Sequence, residues 1–196
     1  MSTEGADYAE RLRRLQGVWW KRILPVQAPY RWNIRRQRLG RTLEVGCGIG
    51  RNLAALNPGS IGVDHNADSI AMARALGHEA MTTGEFRRSA VSAPGTFDGL
   101  LVAHVLEHLD RPGAERLLAD YLPSVRPGGR VFLVCPQERG YASDPTHVRF
   151  TTGDDLVDLA RSCGLVPETP FSFPFPRRAG TLFVYNEFCL LAHVPG

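Results

Sequence analysis

The sequence predicts a doubly wound α/β domain built on a mostly parallel sheet. Three observations carry that prediction. Short apolar runs of strand length recur along the chain, segments with helical spacing separate them, and a glycine-rich turn closes the first strand. Each parallel return needs a crossover, so strands alternating with helices of about ten residues specify a sheet covered on both faces.

Taken in order, residues 41–45 read as a short buried strand running into Gly46-Cys47-Gly48-Ile49-Gly50. A helix is expected to open there, with Leu53 and Leu56 on its apolar side, and Asn57-Pro58-Gly59 stops it. Residues 60–64 form the second strand, and Asp68 is placed to cap a helix bearing Met72, Ala75 and Leu76 that ends at Gly77. The third strand, 79–82, is weakly marked. Residues 84–95 show no clear period and read as irregular, with room for one helical turn.

A stronger strand covers 97–103. Ala114, Leu117, Leu118 and Tyr121 keep the i, i+3, i+4, i+7 spacing of a helix. Arg126-Pro127-Gly128-Gly129 turns the chain into a buried strand over 130–135. Thr152, with Asp155 three residues on, predicts a capped helix start; Leu156, Leu159, Ala160 and Cys163 share its apolar face, and Gly164 closes it. Two last strands are expected around 165–173 and 182–193, separated by a proline and arginine stretch.

The segment Thr42 to Leu53 joins strand to helix, where open α/β sheets bind ligands. Its glycines let the backbone approach a ligand closely, and a following helix N-terminus would offer free N–H groups to an anion. A dinucleotide fingerprint starting at Gly46 needs a third glycine at position 51, which is Arg51 here. The pattern is instead Glu-x-Gly-x-Gly-x-Gly, from Glu44 through Gly46 and Gly48 to Gly50. It resembles motif I of the class I S-adenosylmethionine (SAM)-dependent methyltransferases.

The resemblance runs over residues 38–168. Phe97-Asp98-Gly99-Leu100-Leu101-Val102-Ala103-His104-Val105-Leu106-Glu107-His108-Leu109 is similar to that family's fourth strand and the turn after it, and Arg126 to Val131 to its turn into strand five. It implies a Rossmann-like methyltransferase fold of seven strands, ordered 3-2-1-4-5-7-6 with strand 7 antiparallel, and SAM as cofactor. By the same resemblance Gly46, Gly48 and Gly50 line the methionine and ribose of SAM, and Glu44 positions the turn and the amino acid end. Asp64, twenty positions after Glu44, holds the ribose, and His65 flanks the adenine. Glu85 and Phe86 hold the adenine by a polar contact and a ring. Ala103 and His104 lie beside the methionyl chain and the reacting methyl.

Methyl transfer from a sulfonium needs no protein nucleophile; in-line positioning in a dry pocket supplies much of the catalysis. An oxygen or nitrogen acceptor calls for a base, for which a histidine is suited at neutral pH. His104 is the first candidate by location. His147, in the loop Asp144 to Arg149, is the second, on the expected acceptor side. His104, Glu107 and His108, spaced i, i+3, i+4, together with His147 resemble the metal site of the small-RNA terminal 2′-O-methyltransferases, in which a Glu stands where this chain has His104. Imidazole there disfavours Mg²⁺. A Glu-His pair after strand four is also common in members that use no metal, so SAM is the expected cofactor and a divalent metal is left open but not favoured.

Length and composition fit one soluble globular domain: 196 residues, 43% hydrophobic and 22% charged. The amino terminus is polar and carries three acids, unlike a secretory signal, and no run reaches bilayer-spanning length, so the expected location is the cytoplasm. Cys47, Cys135, Cys163 and Cys189 are scattered and read as reduced core thiols. Residues 11–41 hold ten Lys or Arg and no acid, interleaved with Trp19, Trp20, Tyr30 and Trp32. This divides the chain into a basic, aromatic helical leader or lid, 1–40, and a SAM-binding domain, 41–196. The leader's charge suits nucleic acid, anionic lipid or a phosphorylated acceptor, or is simply a solvated helix face. The expected acceptor is a small or medium-sized organic molecule, anionic in character, ahead of a nucleic acid. A nucleotide-dependent oxidoreductase and a SAM-binding, RNA-associated module without methyl transfer stay open as alternatives.

Overall fold

The structure, a computed structural model, describes residues 27–196. Eight strands form one sheet: β1 (Thr42–Val45), β2 (Ile61–Asp64), β3 (Ala80–Thr82), β4 (Phe97–Ala103), β5 (Val125–Pro136), β6 (Val166–Pro167), β7 (Phe171–Phe173) and β8 (Glu187–His193). Among the described residues, six α-helices accompany them: α1 (Ala28–Arg36), α2 (Ala67–Ala75), α3 (Thr83–Arg88), α4 (Arg111–Tyr121), α5 (Glu138–Tyr141) and α6 (Gly153–Ser162). The sheet runs β3-β2-β1-β4-β5-β8, and β6 and β7 both pair with β8. Strand β8 is antiparallel to β5, while β1 to β5 pair in parallel. This is the expected order, with the sixth strand split in two. The register against β8 shifts between Pro167 and Phe171: Glu168 N still donates to the Leu191 carbonyl at 2.8 Å, whereas Pro170 has no N–H to give.

Burial on both faces explains why the central strands read as unbroken apolar runs. Leu100 and Val102 of β4, Val131 and Leu133 of β5 and Phe188 and Leu190 of β8 face one core, which Leu118 of α4 and Leu156 of α6 complete. Leu101, Ala103, Phe132, Val134, Cys189 and Leu191 alternate with them and face a second core, closed by Ile34 of α1 and Phe173 of β7. The described part of the predicted leader is therefore built into the domain's own core. Its remainder, with Trp19 and Trp20, lies outside the described residues.

Three local expectations are corrected. After the glycine turn there is no α-helix, only a single 3₁₀ turn, Leu53–Ala55. Pro58 and Gly59 follow too soon for a nucleated helix, and burial of Leu53 and Ala55 fixes the turn instead. The α2 cap is Asn66, whose side chain accepts from Ser69 N at 2.9 Å, and Asp68 lies inside the first turn. The stretch read as irregular holds α3, six residues long, begun by a capping box between Thr82 and Glu85.

The predicted Thr152–Asp155 capping box is present at the start of α6: Asp155 N donates to Thr152 Oγ1 at 3.2 Å, and Thr152 N donates to Asp155 Oδ2 at 2.9 Å. Thr152→Ala is expected to lower unfolding free energy by about 1 kcal/mol in urea titrations, the usual worth of such a cap. An unchanged midpoint would show that tertiary packing alone fixes this helix end.

Candidate functional site

The carboxyl ends of β1 and β4 meet where the chain order reverses, since β2 and β3 extend from one side of β1 and β4 and β5 from the other. A crevice opens at such a switch point. At its floor Gly46 adopts φ +75°, and a Cβ there would lie 2.2 Å from Val105 Cγ2, so both the backbone conformation and the space require glycine. Gly48 N donates to Asp64 Oδ2 at 2.8 Å, and Asn66 N donates to Asp64 Oδ1 at 2.9 Å. One carboxylate thus ties the turn after β1 to the turn after β2, with a lone pair left on each oxygen for a ligand hydroxyl. His65 lies beside it, Nδ1 3.4 Å from Asp64 Oδ1, with half of its side chain in solvent.

Strand alternation turns Glu44 away from the core that takes Leu43 and Val45. Its Oε1 accepts from Asn52 Nδ2 at 2.8 Å, while Oε2 is buried with no hydrogen-bond partner. Burial, aided by the charge of Asp64 and opposed by the Asn52 hydrogen bond, pushes the Glu44 pKa up to about 8. A buried, unsatisfied carboxyl oxygen beside a glycine turn is the signature of a site completed by a ligand donor. The amino group of SAM is such a donor, and the residues present fit that cofactor.

At the end of β4, His104 holds φ +59°, unusual for a residue with a side chain. Its Nε2 lies 2.8 Å from Glu187 Oε1 on β8, and its Nδ1 3.3 Å from Glu107 Oε1, an ion-pair distance without an aligned hydrogen bond. Burial works against its charge, yet pairing with Glu107 and Glu187 outweighs it and raises the pKa to about 10. This favours the imidazolium of His104 at neutral pH, a donor set between two acids.

Glu187 had no sequence signal, being 83 residues from its partner. A fully buried polar knot fixes it. Asn186 Nδ2 donates to Gln137 Oε1 at 2.9 Å, Gln137 Nε2 donates to the Glu187 carbonyl at 3.0 Å, and Phe175 N donates to Asn186 Oδ1 at 3.0 Å. Tyr30 of α1 closes this side: its hydroxyl donates to the Tyr185 carbonyl at 2.8 Å, and burial followed by the Glu187 charge raises its pKa. Its ring meets Phe173 edge-on, with centroids 5.7 Å apart, while half-exposed Phe175 and Tyr185 continue the aromatic wall.

The two residues expected at the adenine are placed differently. Phe86 is 2% exposed and packs against Tyr121 in the core, because the phase of α3 turns it inward. Glu85 spends Oε2 on Thr82 N, Thr82 Oγ1 and Arg74, and these donors, the Thr82 backbone first, hold its pKa down at about 2. Only Oε1 remains for a ligand. Ala103 sits at the end of β4, nine-tenths buried, next to His104. His147 approaches His108, their rings 4.8 Å apart, and stacks on Tyr141, to whose carbonyl its Nδ1 is bonded at 2.7 Å.

A sheet of this order with an acid-flanked glycine turn at its switch point has the class I Rossmann-like architecture of SAM-dependent methyltransferases. Residues 11–169 match the family model described as a methyltransferase domain, and the chain belongs to that family. It is similar to the ubiquinone biosynthesis O-methyltransferase of Burkholderia lata, 31% identical over an alignment of 100 residues, which covers 47% of this chain and 42% of that enzyme. The chain therefore matches less than half the length of its curated relatives. Among solved structures, it superposes on a SAM-dependent methyltransferase from Archaeoglobus fulgidus with a TM-score of 0.66 at 17% identity, covering 84% of this chain and 92% of that one. The magnesium protoporphyrin IX methyltransferase of Synechocystis PCC 6803 with bound S-adenosylhomocysteine gives 0.67 at 14% identity, covering 98% and 96%. At such identities these structures speak for the fold.

The His104 clamp gives a pH-dependent stability. Its folded pKa lies above the ordinary value of 6.5, so the stabilisation is full below that value, declines as pH rises further, and is gone above about 10. His104→Asn, unfolded in the presence of a chelator, is expected to lose about 1–2 kcal/mol at pH 6 and almost nothing at pH 10.5. That is less than a broken buried pair costs, because the His104 side chain is 46% exposed. A pH-independent difference would show that His104 acts by packing alone.

Proposed function

We propose that this protein transfers the methyl group of SAM to an oxygen atom of a small or medium-sized, aromatic and anionic acceptor. The buried, unpartnered Oε2 of Glu44 beside the glycine turn carries the cofactor half of that reading. In the bound state SAM supplies a methyl on a positive sulfonium, which becomes a neutral thioether once the methyl has left. Gly46, Gly48 and Gly50 let the backbone lie against the cofactor; Asp64 holds the ribose hydroxyls, His65 flanks the adenine, and Glu44 takes the amino group. Ala103 leaves room for the methionyl chain beside β4.

The acceptor half rests on the wall of Tyr30, Phe175 and Tyr185 above Glu187 and on the likeness to O-methyltransferases of ubiquinone biosynthesis. His104 positions Glu187 and gives up no lone pair. His147 donates Nδ1–H to the Tyr141 carbonyl, which leaves the Nε2 lone pair to receive the acceptor's proton. The basic residues of the leader attract the acceptor's negative charge. We place the reaction in the cytoplasm, consistent with four free thiols. Among the described residues no helix is long and apolar enough to cross a membrane.

Incubation with methyl-labelled SAM and a panel of hydroxylated aromatic acids, amines and RNA tests the acceptor class. Label recovered on phenolic oxygen is the expected result, and label only in RNA or amines would overturn it. Cofactor binding tests the role of Glu44. A carboxyl with pKa near 8 that pairs with an ammonium group must ionise, so binding of S-adenosylhomocysteine at pH 7 should release close to one proton. Calorimetry in buffers of different ionisation enthalpy measures this. Glu44→Gln should release none and bind roughly tenfold or more weakly, as loss of a charge-assisted hydrogen bond implies.

A further inference from the structure

Glu107, His108 and His147 gather behind His104, each offering a ligand atom, and these atoms all lie within 4.8 Å of one another. We propose that they bind one divalent transition ion of the zinc class beside the acceptor wall. The strongest indication is Glu107 itself: its side chain is 1% exposed, and neither carboxylate oxygen accepts a hydrogen bond. A carboxylate in that position is normally paired, hydrogen-bonded or metal-bound. Its nearest cation, His104, is shared with Glu187 and poorly aligned. The other near group is the Cys135 thiol, which the Glu107 charge helps keep protonated, after burial.

The two imidazoles are oriented as ligands. His147 has Nδ1 on the Tyr141 carbonyl at 2.7 Å, and His108 has Nδ1 3.3 Å from both the carbonyl and the hydroxyl of Thr146. These bonds engage Nδ1 of each ring and leave Nε2 as the nitrogen to offer an ion, the outer-shell arrangement that metal-binding histidines use. The loop that carries His147 is itself anchored. Val148 N and Arg149 N donate to the Glu107 carbonyl at 2.8 and 3.1 Å, and Asp144 Oδ1 accepts from Thr146 N and Thr146 Oγ1. Two imidazoles and one carboxylate suit zinc-class ions and disfavour magnesium. Ligands 2.0–2.2 Å from such an ion sit roughly 3.5 Å apart, so side-chain rotations of about an ångström close the cluster.

Three protein ligands leave a coordination position open, as in catalytic sites. Its use for an acceptor oxygen rests on the O-methyltransferase reading; the ion site does not. With the ion bound, the His147 lone pair is a ligand and no longer takes the acceptor's proton; the ion would lower the acceptor's pKa so that this proton leaves to solvent before methyl transfer.

The test uses the untagged chain, stripped with a chelator, and titrated with Co²⁺ for its visible spectrum and with Zn²⁺ by calorimetry. One equivalent is expected, with the strong visible bands of a low-coordinate nitrogen and oxygen site. His108→Ala and His147→Ala should each weaken Zn²⁺ binding tenfold or more, while His193→Ala, on the distant Glu168 pair, should bind like the parent. His147 is on a loop, so its variant keeps the test valid even if His108→Ala fails to fold. Saturable binding absent at one equivalent, binding indifferent to both histidines, or thiolate-to-cobalt bands in the near ultraviolet would each overturn the site. S-adenosylhomocysteine binding should persist in the His147 variant, so loss of the ion is separable from failure of the cofactor reading.

Discussion

Among the described residues, the buried acids Glu44, Glu107 and Glu187 gather at the carboxyl edge of a sheet whose central strands are dry on both faces. Strands β4 and β5 are apolar toward both cores, so charged groups collect only where the strands end. There the His104–Glu187 bond, 2.8 Å long, spans β4 to β8, the antiparallel strand that β5 separates from it. That contact fixes the start of β8, the turn at Glu107 and the aromatic wall above them. Without the imidazolium, Glu187 and Glu107 would face each other's neighbourhood as two poorly solvated acids, a costly arrangement.

The site divides into a cofactor half on β1 and β2 and an acceptor half on β4, β8 and α1. Each half contains one buried acid with an unmet valence, Glu44 in the first and Glu107 in the second. Buried carboxylate oxygens of this kind mark where ligands complete a structure. Their opposite pKa shifts follow from their neighbours: Glu44 is buried beside another acid and rises, whereas Glu107 is buried beside an imidazolium, and that charge outweighs burial and lowers it.

What the sequence made legible was local. Strands β4 and β5 announced themselves by apolar runs, and the turn at Gly46 and the α6 start by residue types that only one conformation uses well. The helix after Gly50 was misread because Leu53 and Leu56 have helical spacing, but Pro58 and tertiary burial leave room for one 3₁₀ turn only. The family resemblance sets Phe86 at the adenine, but the Thr82–Glu85 cap, in a stretch without period, fixes a helix phase that turns the ring into the core. Asn186, Gln137 and Glu187 were missed altogether. Their partners lie tens of residues away, and nothing local distinguishes a buried amide that locks a loop from an exposed one.

The measurement closest to the centre of this account is calorimetric titration of S-adenosylhomocysteine into the protein and into Asp64→Ala, with NAD as the competing nucleotide. Saturable one-to-one binding to the parent, weakened at least tenfold in the variant and absent for NAD, is what the acid bridge between the β1 and β2 turns predicts. Preference for NAD, or binding of the homocysteine compound that ignores Asp64, would contradict the placement of the cofactor at this crevice.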